Sequence, residues 1–133
     1  MQTAHQLVSD YRATWEGVIR GGAPLADLDR FFNVPCFMVS LDGAMKLYTS
    51  RSEVTAFNQG RLDAFRAGGV HNASFRAVDI VSQGQHLSLA IVNWELTRSD
   101  GSLERAWRHY YTILAGGPAA APTIVISAFQ TGS

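Results

Sequence analysis

Residues 103–114 read LERAWRHYYTIL, and the fold turns on how this stretch is read. As a β-strand, one face carries Leu103, Arg105, Trp107, His109, Tyr111 and Ile113, and the other Glu104, Ala106, Arg108, Tyr110, Thr112 and Leu114. A strand with one solvated face alternates apolar and polar residues. Here large side chains occupy both faces, so both are expected to be covered. The stretch 86–98 behaves alike, with Leu87, Leu89 and Ile91 on one parity and Ala90, Val92, Trp94 and Leu96 on the other.

Working outward, the loop RSDGS (98–102) joins these two strands as a hairpin. A strand at about 73–83 precedes them. Another at 122–130 follows, behind AGGPAAAP (115–122), which reads as a flexible low-complexity loop. The first half of the chain is different. Leu7, Val8, Tyr11, Trp15, Val18 and Ile19 recur at three- and four-residue spacing within 3–20, the mark of an amphipathic helix. Gly21-Gly22 is its stop, and Pro24 opens a short helix through Phe32. Pro35 forbids further helix, and Cys36–Leu41 is β-like. Asp42-Gly43 predicts a tight hairpin with Ala44–Tyr48 returning. Ser50-Arg51-Ser52-Glu53 is a capping box. The helix that follows carries Val54, Phe57, Leu62 and Phe65, is weakened at Gly60, and ends at Gly68-Gly69. Helices early and strands late predict an α+β fold, three helices packed on one face of a curved, mainly antiparallel sheet.

Size and charge bound the function. A chain of 133 residues with 47% hydrophobic content reads as one domain, 1–133. Its net charge is zero, and ten arginines and one lysine are scattered along it. Neither nucleic acid nor a membrane is an expected partner. Cys36 is the sole cysteine, the N-terminus lacks a signal-peptide pattern, and no apolar run reaches about 20 residues, so a cytoplasmic location is expected. His5, His71, His86 and His109 lack metal-ligand spacing, and no phosphate-binding, dinucleotide or Ser-His-Asp signature occurs. No metal and no cofactor is expected.

The first-helix YRATW, the passage FFNVPCFMVSLDG and the tail IVNWELTRSDGSLERAWRHYYTIL together resemble the nuclear-transport-factor-2-like superfamily, which includes ketosteroid isomerases and SnoaL-like cyclases. The resemblance spans nearly the whole chain. It implies a cone-shaped α+β barrel with an apolar pocket at the open end and a homodimer through the outer sheet face. A pocket on one face and a partner on the other would account for the doubly apolar strands. Arg108, Tyr110 and Thr112 would then lie at the interface.

Tyr11 and Trp15, one helical turn apart, are expected to meet Trp107, His109 and Tyr111 as ligand-binding residues. His109 is a candidate general base or acid near neutral pH, or else a hydrogen-bonded histidine in a pocket wall. Tyr11 resembles the helix-one oxyanion donor of the isomerases, or else simply packs. The isomerases' catalytic aspartate falls near Ser40 here, with Asp42 in the turn, and a serine lacks a carboxylate's basicity. Asp79 and Glu95 are weaker candidates to enter the pocket. Three readings stay open: a binder of a small hydrophobic molecule, an isomerase, cyclase or dehydratase using His109 and Tyr11, and a dimeric interaction module without catalysis.

Overall fold

Leu7, Val8, Tyr11, Trp15, Val18 and Ile19 are the buried residues of the first helix, α1 (Ala4–Ile19), the same stripe that the spacing draws. Thr3 caps it, accepting from the Gln6 amide while Gln6 returns the bond. At the far end Gly21 takes a left-handed φ of 79°, and the Gly22 amide reaches back to the Gly17 carbonyl. The computed structural model describes residues 3–115 and 121–130. Most of AGGPAAAP lies outside the described residues.

The expected short helix is a 3-10 helix, Leu25–Phe31, burying Leu28 and Phe31. Strand β1 (Phe32–Val39) then begins earlier than Cys36, because Pro35 is accommodated inside it. The register shifts between Phe32 and Phe37, the kind of irregularity that lets a proline sit in a strand. Asp42 and Gly43 make the turn to β2 (Met45–Tyr48), with Asp42 accepting from the Ala44 amide and Gly43 at φ 85°. Helix α2 (Arg51–Ala67) is capped by Ser50 and buries Val54, Asn58, Leu62 and Phe65; Phe57 is half-buried. It stops at Gly68, where a Cβ would stand 2.8 Å from the Glu104 carboxylate. That close approach lets the later hairpin fold over the helix end.

Strands β3 (Val70–Ser82), β4 (Leu87–Arg98), β5 (Leu103–Leu114) and β6 (Thr123–Phe129) form the antiparallel meander. The full order is β2-β1-β6-β5-β4-β3. One feature departs from a pure meander: β6 returns beside β1 and pairs with it in parallel. The result is α+β, a curled and unclosed six-stranded sheet with the helices in its concavity. Each large side chain sealed there contributes about 1.5–3 kcal/mol. No described helix is long and apolar enough to cross a membrane.

The convex face is also apolar. Leu47, Phe37, Ile126, Thr112, Leu89 and Val81 pair side by side across all six strands. Beside them runs a second row, Met45, Val39, Ala128, Tyr110, Ile91 and Asp79. Phe37, Leu47 and Val81 are 39, 43 and 48% exposed. Arg108 lies on this face with Tyr110 and Thr112.

Candidate functional site

Register fixes which side of β5 looks inward. Trp94 pairs with Trp107, Val92 with His109 and Ala90 with Tyr111, and these β4 residues are buried under the helices. Trp107, His109 and Tyr111 therefore share the concave face with Tyr11 and Trp15 of α1. Tyr11 meets Tyr111 edge-on at 5.6 Å between ring centroids, and Phe31 and Phe32 at 5.3 and 5.7 Å. Trp15 packs against Phe65 of α2, and Trp107 stacks on Trp94.

These rings fill the apex of the cone. The space left among Tyr11, Trp15, Arg61, Trp94, Trp107 and Tyr111 is about 10 Å³, room for one water molecule. Tyr11, His109 and Tyr111 are sealed beneath, at 1% exposure or less. The open volume lies further out. A hollow of about 440 Å³ at the open end is lined by the rings of Phe65, Trp107 and Phe129 together with Leu41, Arg61 and the β5 segment Glu104–Ala106. A second, of about 250 Å³, lies beyond Phe129 and Phe57 under the β1–β2 hairpin.

His109 has both ring nitrogens engaged. The Trp107 indole, which can only donate, gives its N–H to Nδ1 at 3.1 Å. The proton therefore sits on Nε2 and is donated to Ser127 Oγ at 2.7 Å. Tyr111 stacks on one face of the ring, and Phe129 meets it edge-on. Burial, with the Arg61 cation a lesser influence, holds the imidazole's pKa well below its ordinary value. The titration expected near pH 6.5 is accordingly displaced: His109 stays neutral across the physiological range.

Tyr11 is the opposite case. Its hydroxyl is buried without a hydrogen-bond partner. Burial pushes its pKa up and Arg61 opposes the shift; Trp15 and Tyr111 lie near the oxygen but outside hydrogen-bonding geometry. The Tyr111 hydroxyl accepts from the Trp94 indole at 2.8 Å.

Other candidates fall away from the concavity. Ser40 is exposed in the turn and donates to Asp42 at 2.6 Å. Asp79 is exposed on the convex face, and Glu95 shares that face. The Cys36 thiol is pushed up to about 11 by burial, so it is not a nucleophile. His5, His71 and His86 are exposed and dispersed, and no metal-binding cluster occurs among the described residues.

Three contributors were not singled out from sequence. Ser127 and Phe129 gave no local signal, since only pairing with β5 brings them to His109. Arg61 did carry one. Phe57, Arg61 and Phe65 follow at four-residue spacing, so they share one face of α2.

An unclosed α+β cone with an aromatic-lined open end defines the class of nuclear-transport-factor-2-like folds. Within that class, the chain belongs to the family of NTF2-like proteins termed DUF6841, whose model matches residues 2–118. No curated protein matches its sequence. Among solved structures it is similar to a calcium/calmodulin-dependent protein kinase type II association domain assigned in Thiobacillus denitrificans, at 17% identity and TM-score 0.74, over 98% of this chain and 95% of that one. It is similar also to the yeast UBP3-associated protein BRE5, at 13% identity and TM-score 0.68, over 99 and 100% of the two chains. An NTF-2 like protein of unknown function from Shewanella oneidensis matches at 12% identity and TM-score 0.68, over 98 and 100%. At such identities the likeness is one of fold.

Proposed function

We propose that the protein is a homodimeric binder of a small, largely apolar molecule, held at the open end of the cone. The observation that carries this reading is the hollow of about 440 Å³ walled by Phe65, Trp107 and Phe129. Its size and aromatic lining are those of a small-molecule site. Trp107 touches the ligand, while Tyr11, Trp15, His109 and Tyr111 form the packed floor beneath it. The apolar convex face supports pairing of two copies, and zero net charge removes a barrier to association. The one, buried cysteine suits the cytoplasm.

The isomerase, cyclase or dehydratase reading draws support from Tyr11, a buried phenol free to donate. It lacks a base: His109 already accepts at Nδ1 and donates at Nε2, so we assign it no proton-transfer role. Titration with naphthylethanol, a neutral aromatic probe, tests the binding reading. The indole N–H resonance of Trp107 should shift saturably at one probe per chain. No saturable change up to millimolar probe would overturn it.

A further inference from the structure

We infer that the open end of the cone is a seat for an anionic group, so that the molecule bound there is an aromatic or aliphatic acid whose carboxylate meets Arg61. The inference rests on the binding reading above and adds the chemical class of the ligand.

Arg61 is half-buried on the inner side of α2. Its guanidinium carbon lies 5.1 Å from the Phe129 ring centroid, 5.5 Å from Phe57, 5.7 Å from Phe65, 5.8 Å from Trp107 and 6.0 Å from Trp15. Rings on several sides hold the group in place through cation–π attraction. They do not satisfy its five N–H donors. Among the described residues it has no hydrogen-bond acceptor and no carboxylate within ion-pair distance. This sets it apart from the other arginines nearby. Arg105, on the same border, donates twice to Glu104, and Arg98 is spent on the Gly68 and Leu103 carbonyls. Glu104 and Arg105 cancel, leaving Arg61 as the uncompensated charge at the rim. Its field reaches inward to Tyr11, His109 and Tyr111.

The Tyr11 hydroxyl lies deeper, lining a void of about 10 Å³ that Arg61 also borders and that has room for one water molecule only. The carboxylate's place is therefore the larger hollow, which Arg61 lines as well. Among the described residues no Glu or Asp meets Arg61 there, and its N–H donors stay open to a ligand. A planar carboxylate matches the guanidinium fork, and its apolar body would lie on Trp107, Phe65 and Phe129.

The test compares naphthylacetate with naphthylethanol, matched in the apolar part, by calorimetry on wild-type protein and on Arg61→Met. The acid should bind wild type about ten- to a hundredfold more tightly than the alcohol, the span of a charge-assisted paired contact. Arg61→Met should abolish that preference, so that acid and alcohol bind the variant with affinities within about twofold of each other. Equal affinities in wild type would overturn the anion seat while leaving the binding reading intact. A preference that survives Arg61→Met would also overturn it. Failure of both probes to bind would remove both readings together. Should Arg61→Met not fold, Arg61→Lys keeps the charge but loses the fork, and should lower acid affinity alone. In wild type, added salt should weaken the acid and spare the alcohol; matching salt responses would count against the inference.

Discussion

A histidine's surroundings decide whether it is a reagent or a strut, and His109 shows how completely. Its neighbours Trp107 and Ser127 supply one donor and one acceptor, which is the complement of a single neutral tautomer. Protonation would set a second N–H against the indole N–H. The folded-state pKa is therefore depressed, and the sign of the pH effect follows. Above about pH 6.5 both folded and unfolded histidine are neutral, and the fold keeps its full stability. As pH falls below that value the unfolded chain takes up the proton first, and stability is lost toward the folded pKa. Urea unfolding of wild type between pH 7.5 and 5 should show losses approaching about 1.4 kcal/mol per pH unit. His109→Gln should flatten that dependence, because no proton is left to bind. Carboxylates depressed in the fold, such as Asp42 and Glu53, act at lower pH and leave this window clear. Parallel curves for the two proteins would mean that folding leaves the His109 pKa unshifted.

At the scale of the element, the helices were the most legible part of the chain. Every buried residue of α1 lies on the stripe that its spacing draws, because a helix's period is local and needs no partner to be seen. The Ser50 cap and the Gly68-Gly69 stop were equally plain. The inward parity of β5 was legible only as a choice between two faces; the side chains name the two sets, and pairing with β4 settles which one is covered. The parallel pairing of β1 with β6 left no sequence trace, since it depends on residues far along the chain; Asn58 sits on the buried stripe between Val54 and Leu62, where its polar side chain masked the helical period. Gly60 tests the helical reading directly. It is exposed inside α2, and a Cβ there meets nothing within 4 Å. Gly60→Ala should raise stability by about 0.5–1 kcal/mol in chemical denaturation, through reduced freedom of the unfolded chain. An unchanged or lower midpoint would show that this turn is not regular helix.

The whole molecule presents two apolar surfaces, one inside the cone and one in rows across its convex back. The row from Leu47 through Phe37 and Ile126 to Val81 spans the sheet without a charge. Such a face on a lone chain would invite indiscriminate association. Paired with its own copy, it becomes a self-complementary contact. Light scattering at micromolar concentration should give twice the chain mass. Phe37→Glu with Ile126→Glu should give a folded monomer, since both side chains point away from the core. A wild-type monomer would refute the pairing.

The parallel embrace of β1 by β6 carries a further consequence, one about time. During synthesis the opening hairpin emerges early and must wait, one edge unclaimed, until nearly every other strand has been made. The strand that finally claims it also delivers Ser127 to His109 and Phe129 to Arg61. Joining of β1 to the rest of the sheet and completion of the rim are thus a single late event, and a nascent chain halted before Thr123 would have neither. Folding of this protein should be slow for its size, as non-local pairing demands, and the proposed ligand binding should appear together with the last hydrogen-bonded ladder rather than before it.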